Sequence, residues 1–261
     1  MGSKRQERSN AASPVNRFDS ALAGESAWHS HAGGQFILVE AGVSHLATES
    51  GDWIVPTHRV GWVPPRVRHM SRPSRFGRGW VVIAPAKFVH SFPRQVCVLR
   101  ASLLMTVVLG RITQLSPQDT ATRALFWKVV AAELKNAQRE PLELPMPSAP
   151  KLREAAQRVV EKPSIGLDLN KLAARAGMSR RSFTRHFRIE TGQTYSKWRR
   201  AVIAHYALAR IAAGDKVSSV AFDVGYESTS AFIAMFHRSY GASPGQFLSE
   251  HAEEYLRADQ G

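Results

Sequence analysis

Val220-Ala221-Phe222-Asp223-Val224-Gly225-Tyr226-Glu227-Ser228 decides how this 261-residue chain is read, because its pattern also stands upstream as Leu172-Ala173-Ala174-Arg175-Ala176-Gly177-Met178-Ser179. The offset is 48 residues up to the glycines and 49 from the serines onward, and it stays 49 for Phe183/Phe232, Phe187/Phe236, Gly192/Gly241 and Thr194/Ser243. One residue has been added to the second turn, where a loop tolerates a change of length. Each copy carries the parts of two helices joined by a sharp turn. A small alanine (Ala173, Ala221) lets the first helix lie close to the second, and a glycine (Gly177, Gly225) supplies the positive φ of the turn. A serine (Ser179, Ser228) caps the second helix, and phenylalanines at i and i+4 commit one face of it to a core.

The opposite face is then free for a partner. In the first copy it carries Arg180, Arg181, Thr184, Arg185 and Arg188. Between Lys171 and Arg200 there are nine Lys/Arg and a single acid, Glu190. That is the footprint of phosphate contact, although a solvated basic face is the bland alternative. Tyr195 to Ala213 reads as one long helix that would hold the two turn-linked units at a fixed separation, about 34 Å for one turn of DNA.

The run Val220 to Phe232, followed by Phe236-His237-Arg238-Ser239-Tyr240-Gly241-Ala242-Ser243-Pro244, resembles the signature of the AraC/XylS regulator family over about residues 155–250. The resemblance implies a helical domain with two helix-turn-helix units entering successive major-groove segments of double-stranded DNA. By position its base-reading residues fall on Arg181, Thr184 and Arg185 in the first unit. In the second they fall on Ser230, Ala234, Thr229 and His237. Ala234 lacks the hydrogen bonds of a long polar side chain, and His237 stands where Lys or Arg is usual. The first unit is therefore expected to dominate base reading.

Whole-chain composition agrees. The 35 Lys+Arg against 21 Asp+Glu give a formal net charge of +14, which favours a polyanionic partner. One cysteine, Cys97, excludes an internal disulfide and a thiolate zinc cluster, as expected of a reducing cytoplasm. Residues 1–16 show no apolar run of a secretory signal. Val96 to Leu109, the longest apolar run, is broken by Arg100 and too short to span a bilayer, so no membrane partner is expected.

The expected fold class is α+β, with a cupin-like β-barrel and flanking helices before an all-α double helix-turn-helix domain joined by a long linker helix. Residues 1–20 read as a disordered arm and 21–95 as the sensor barrel, from short runs such as Gln35–Val39, Gly51–Pro56, Gly61–Pro65 and Gly79–Ile83. Residues 96–139 read as helical, with 98–114 forming one helix. A second helix would start at Ser116-Pro117 and run to about Gln138. Residues 140–150 hold four prolines in eleven positions and read as the linker. Residues 151–250 are the DNA-binding domain and 251–261 a tail. The apolar stretch Leu99, Leu103, Leu104, Val107 and Val108 is either core or a homodimer face.

Trp28-His29-Ser30-His31, then Gln35 and Gly42, then Pro64-Pro65-Arg66-Val67-Arg68-His69, resembles the two cupin motifs over residues 25–90. It implies an effector pocket, or a divalent transition metal held by His29, His31, Gln35 and His69. Gln35 replaces the usual acid and Arg66 the usual turn glycine. A purely structural barrel is the third reading. No nucleotide-binding glycine loop or nucleophile elbow is present, and no catalytic residue is expected. The leading function is sequence-specific regulation of transcription, with a small-molecule effector and RNA polymerase as further partners. A cupin-type metalloenzyme and a nonspecific DNA binder are the alternatives.

Overall fold

The computed structural model describes residues 15–19, 26–73, 77–116 and 118–249. The remainder of the expected arm and the tail 251–261 lie outside the described residues. Strands β1 (Val15–Asp19), β2 (Gly34–Ala41), β3 (Val43–Thr48), β4 (Gly51–Pro56), β5 (Arg59–Val63), β6 (His69–Pro73), β7 (Arg78–Ala84), β8 (Cys97–Arg100), β9 (Arg139–Glu140) and β10 (Glu143–Pro145) form two antiparallel sheets. The first has the order β1-β7-β2-β5-β8-β9 and the second β10-β4-β3-β6. Helices α1 (Leu103–Gln114) and α2 (Thr120–Asn136) interrupt the strands. Helices α3 (Pro150–Glu161), α4 (Leu169–Arg175), α5 (Arg180–Thr191), α6 (Tyr195–Ala212), α7 (Val217–Asp223), α8 (Thr229–Tyr240) and α9 (Pro244–Ser249) follow. The chain is thus a mixed α+β protein with a sheet-rich first half and a helical second half.

The period of two along β2 sorts the layers. Phe36 and Leu38 face outward, onto Met105, Leu109 and Ile112 of α1 and Trp127 and Val130 of α2. Ile37 and Val39 face inward, into a core shared with Leu46, Trp53 and Val55 of the second sheet. That core continues into Ile203, Ala204 and Ala207 of α6 and Phe232 and Phe236 of α8, so sheets and helices share buried apolar surface. Each large side chain so buried contributes about 1.5–3 kcal/mol.

Four expectations are corrected. Val15–Asp19, placed in a disordered arm, pair along β7 as β1. Residues 98–100, read as helix, belong to β8, which completes the first sheet against β5. The helix begins at Leu103, where Ser102 Oγ accepts from Met105 N at 3.0 Å. The second helix, expected to begin after Ser116, starts at Thr120 behind Asp119, and Pro117 itself lies outside the described residues. The proline-rich stretch does more than link: β9 and β10 extend the two sheets, and Leu142, Leu144 and Met146 are buried. Pro145 is tolerated because β10 is an edge strand, paired among the described residues with β4 alone.

Candidate nucleic-acid interface

The duplication in sequence is a duplication in geometry. In the first helix pair Gly177 takes φ +70°, and Met178 N donates to Ala173 O at 2.9 Å; in the second, Gly225 takes φ +89°, and Tyr226 N donates to Ala221 O at 3.0 Å. Ser179 Oγ accepts from Ser182 N and Ser228 Oγ accepts from Ala231 N, each at 3.2 Å. These caps satisfy amide groups that the first turn of a helix leaves without partners. Gly192 (φ +71°) ends α5 and Gly241 (φ +78°) ends α8. Phe183 and Phe187 are fully buried against Tyr195 and Trp198, and Phe232 and Phe236 occupy the equivalent place in the second pair.

With one face of α5 buried, the other presents Arg180, Arg181, Arg185 and Arg188 to solvent. Among the described residues no carboxylate pairs with any of the four. Thr184 is half-buried, and its hydroxyl donates back to the carbonyls of Arg180 and Arg181 at 3.0 and 3.1 Å. Its proton is therefore engaged within the helix, which leaves a lone pair and a methyl for a base. On α8, Ser230, Ala234 and His237 are exposed and Thr229 half-buried. Arg238, also exposed, adds a cation to this face beyond the positions that the resemblance assigns to base reading.

Glu190, the one acid in the basic stretch, bonds elsewhere and pairs with none of these arginines among the described residues. Its Oε2 accepts from Ser148 N, Ala149 N and Ser148 Oγ at 2.7, 2.8 and 3.0 Å, at the start of α3. Partial burial works to raise its pKa, but these hydrogen bonds outweigh it and hold the carboxyl below the usual range. The acid thus serves as a remote helix cap and leaves the arginine face uniformly positive. Nothing in its local sequence marks that role, because Ser148 is 42 residues away.

The histidines named with Gln35 do converge. His29 and His69 form an isolated bridge, and the three rings of His29, His31 and His69 lie with centroids 4.4–5.9 Å apart. One ligand atom from each lies within 4.8 Å of the others. Each Nδ1 meets a backbone carbonyl: Ala27 at 2.8 Å, Gly33 at 2.6 Å and Val67 at 2.9 Å. An N–H there leaves the Nε2 lone pair as the inward-facing group, the arrangement that orients metal-ligating imidazoles. Gln35 lies 3.0 Å from His31 Nε2 and 3.2 Å from His69 Nε2. The atom facing both nitrogens is its amide oxygen Oε1, which accepts from whichever ring carries its proton on Nε2, without any metal. Burial lowers the His69 pKa to about 4, so this imidazole is neutral at pH 7. Arg66 takes φ +64°, the left-handed conformation of the glycine it replaces, and its N–H bonds His31 O at 2.9 Å.

The family model described as a helix-turn-helix domain matches residues 172–250. The HTH-type transcriptional regulator NimR of Escherichia coli is 30% identical over 225 residues, covering 85% of this chain and 81% of that protein. The HTH-type transcriptional regulator RipA of Corynebacterium glutamicum is 35% identical over 105 residues, 40% of this chain and 32% of the relative. Among solved structures, fatty-acid-bound ToxT of Vibrio cholerae covers 90% of this chain and 94% of its own, at 13% identity and a TM-score of 0.38.

Proposed function

Because the chain belongs to the AraC/XylS family of helix-turn-helix transcription regulators, we propose that it grips promoter DNA with α5 and α8 in successive major-groove segments. Helix α6 joins the two helix-turn-helix units and sets their separation. Arg181, Thr184 and Arg185 read bases, while Arg180 and Arg188 hold phosphates. Thr229, Ser230, Ala234 and His237 form the weaker second contact. The observation that carries this reading is the twofold occurrence of one turn geometry, with an exposed arginine face on the first copy that no carboxylate pairs among the described residues.

The sheet-rich half is the regulatory part, a cupin-like barrel that responds to a small effector in the cytoplasm. The histidine cluster fits a divalent transition metal held by His29, His31 and His69 with Gln35 as a fourth contact. Such an ion would pin the segment around His29 to β6, a structural service rather than a reaction. Leu104 and Val107 of α1 are 51% and 49% exposed, which favours the homodimer reading for that face while Met105, Val108 and Leu109 supply the core. Contact with RNA polymerase follows if the bound dimer activates rather than blocks a promoter. Among the described residues no helix is long and apolar enough to cross a membrane.

The test is a footprint and titration on DNA upstream of its own and adjacent genes, with excess random-sequence competitor at about 150 mM salt, where nonspecific binding is weak. Protection of about two helical turns on one face is expected. Binding that vanishes with competitor would make the chain a nonspecific DNA binder and sink the reading.

A further inference from the structure

A cleft of about 890 Å³ opens between the second sheet and helices α3 and α6. Such a volume is typical of small-molecule sites. None of His29, His31, Gln35 and His69 lines it, so it is separate from the histidine cluster. Three positions on its walls are small: Ala47 on β3, and Ala209 and Ala213 on and just after α6.

Three properties of the walls limit what fits. Trp28, Trp53 and Tyr206 provide aromatic surface. Three cations, Arg72, Arg153 and Arg210, are matched by three acids, Asp52, Glu161 and Asp215, so a ligand meets no net charge. Two of the cations are also committed to the protein. Arg153 donates to Glu49 O at 2.8 Å and Thr48 O at 3.2 Å, and Arg210 pairs with Asp215 and donates to Tyr206 Oη at 2.6 Å. A charged ligand would lose its hydration for little return. Hydrogen-bonding capacity is present all the same. His205 on α6 lines the cleft, and its Nε2 is buried with no hydrogen-bond partner among the described residues. His45 on the facing strand β3 and His205 are both kept neutral at pH 7 by burial. A neutral imidazole offers one donor and one acceptor.

The position explains what occupancy would do. One wall is sheet and the other is α6, the helix between the two helix pairs. Arg210 also reaches Asp223 on α7 at 3.2 Å, linking the cleft to the second pair. We propose that this cleft is the regulatory ligand site and takes an uncharged aromatic compound bearing N–H or O–H groups, an assignment that rests on the regulator reading above. Binding there favours one placement of the sheets against α6 and so changes how α5 and α8 meet DNA.

The test uses the full chain with indole and benzamide as uncharged probes, and benzoate and benzyltrimethylammonium as charged ones. At about a hundredfold excess over Kd an uncharged probe should raise the melting midpoint by roughly 5 °C or more and shift the DNA titration midpoint. Ala209→Phe and Ala47→Leu, which fill the cleft from opposite walls, should each abolish the rise, and His31→Ala should retain it. No rise with either uncharged probe, or a rise that survives both filled variants, overturns the site. A rise lost in His31→Ala moves the ligand to the histidine cluster. A larger rise with a charged probe overturns the ligand class, and binding without any change on DNA overturns the regulatory role. Operator binding by the ligand-free protein is measured in parallel. Its presence beside a failed probe sinks the cleft alone, and its absence both without and with every probe sinks the regulator reading.

Discussion

Arg59 Nε lies 2.9 Å from Glu140 Oε1, and the Arg59 guanidinium lies over the Phe247 ring at 4.8 Å, so one buried cation joins β5, β9 and α9. The Arg59 side chain is fully buried and Glu140 nearly so, with Arg100 as a second cation 3.0 Å from the same carboxylate oxygen. Removing one member of a buried pair costs about 3–5 kcal/mol, because the other loses its counter-charge. Glu140→Ala should therefore destabilise by that order in urea titrations. Glu154→Ala, which breaks the exposed pair with Arg158, should change stability by less than about 1 kcal/mol. Equal effects of the two substitutions would remove this contact from the account of how the halves are joined.

The two turn glycines should respond differently to substitution. A Cβ at Gly225, where φ is +89°, would stand 3.0 Å from Ile165 Cγ2; one at Gly177 would meet nothing nearer than Lys151 Nζ at 3.6 Å. Gly177→Ala should cost about 1–2 kcal/mol, the ordinary penalty of the left-handed region. Gly225→Val adds a β-branched side chain and a packing conflict, and should cost more, roughly 3 kcal/mol. Thermal melting of both variants checks the order. An unchanged midpoint in Gly225→Val would refute the turn assignment.

How much of this was legible in sequence depended on whether the signal was local. The helix pairs were read correctly because Gly177, Gly225, Ser179 and Ser228 act on their own neighbours through φ and capping. The strand at 98–100 was missed because Val98 and Leu99 are buried from both sides, Val98 in the inner core and Leu99 under α1. A strand covered on both faces has no polar alternation to distinguish it from helix. In the proline-rich stretch, Leu142, Leu144 and Met146 do alternate, and the proline count concealed a period of two that buries all three. Convergence of His29, His31, Gln35 and His69 followed from motif order, whereas the cleft between the second sheet and α6 depends on residues over 150 positions apart, such as His45 and His205.

Exposed apolar surface on α1 makes the oligomeric state measurable. Leu104→Glu together with Val107→Glu should leave the buried positions of α1 untouched and so preserve melting to within about 1 kcal/mol. If this face joins two copies, sedimentation of the full chain should pass from dimer to monomer in the double variant. A wild-type chain that sediments as a monomer at high concentration would return α1 to an ordinary packing role.

Stability should fall on acidification, and the sign follows from three buried groups. Burial, with Arg72 adding to it at His45, lowers His45 to about 4; burial, with His45 adding to it, lowers His205 to about 3. Unfolded, each binds its proton near pH 6.5, so below that pH the unfolded chain is favoured. Burial raises Asp52 to about 6 against the pull of Arg153 and Arg72, which works the other way between pH 6 and about 4. Between those limits these three groups leave the unfolded chain with about one proton more than the folded one, and His69, lowered to about 4 by burial, adds a second, a loss of roughly 2.7 kcal/mol per pH unit in all. Urea midpoints measured from pH 7 to 4 should show that slope, reduced in His205→Phe. Stability that is flat or rising as the pH drops to 4 would contradict the burial of these histidines.

Arg185 and Arg188 separate base reading from phosphate grip. Both stand on the exposed face of α5, one turn apart, without a carboxylate partner among the described residues. Arg185, nearer the helix start, falls where the resemblance places base contact, and a bidentate arginine–guanine contact is worth about 1–3 kcal/mol of discrimination. Arg185→Ala should lower operator affinity by that amount and relax preference at one base position. Arg188→Ala should weaken binding to every DNA alike and reduce the slope of log K against log salt by about 1, the mark of one lost phosphate contact. Titrations on operator and on single-base variants at several salt concentrations distinguish them. If Arg185→Ala weakened all sequences uniformly and Arg188→Ala did not, the two roles would have to be exchanged, and α5 would enter the groove by its C-terminal rather than its N-terminal half.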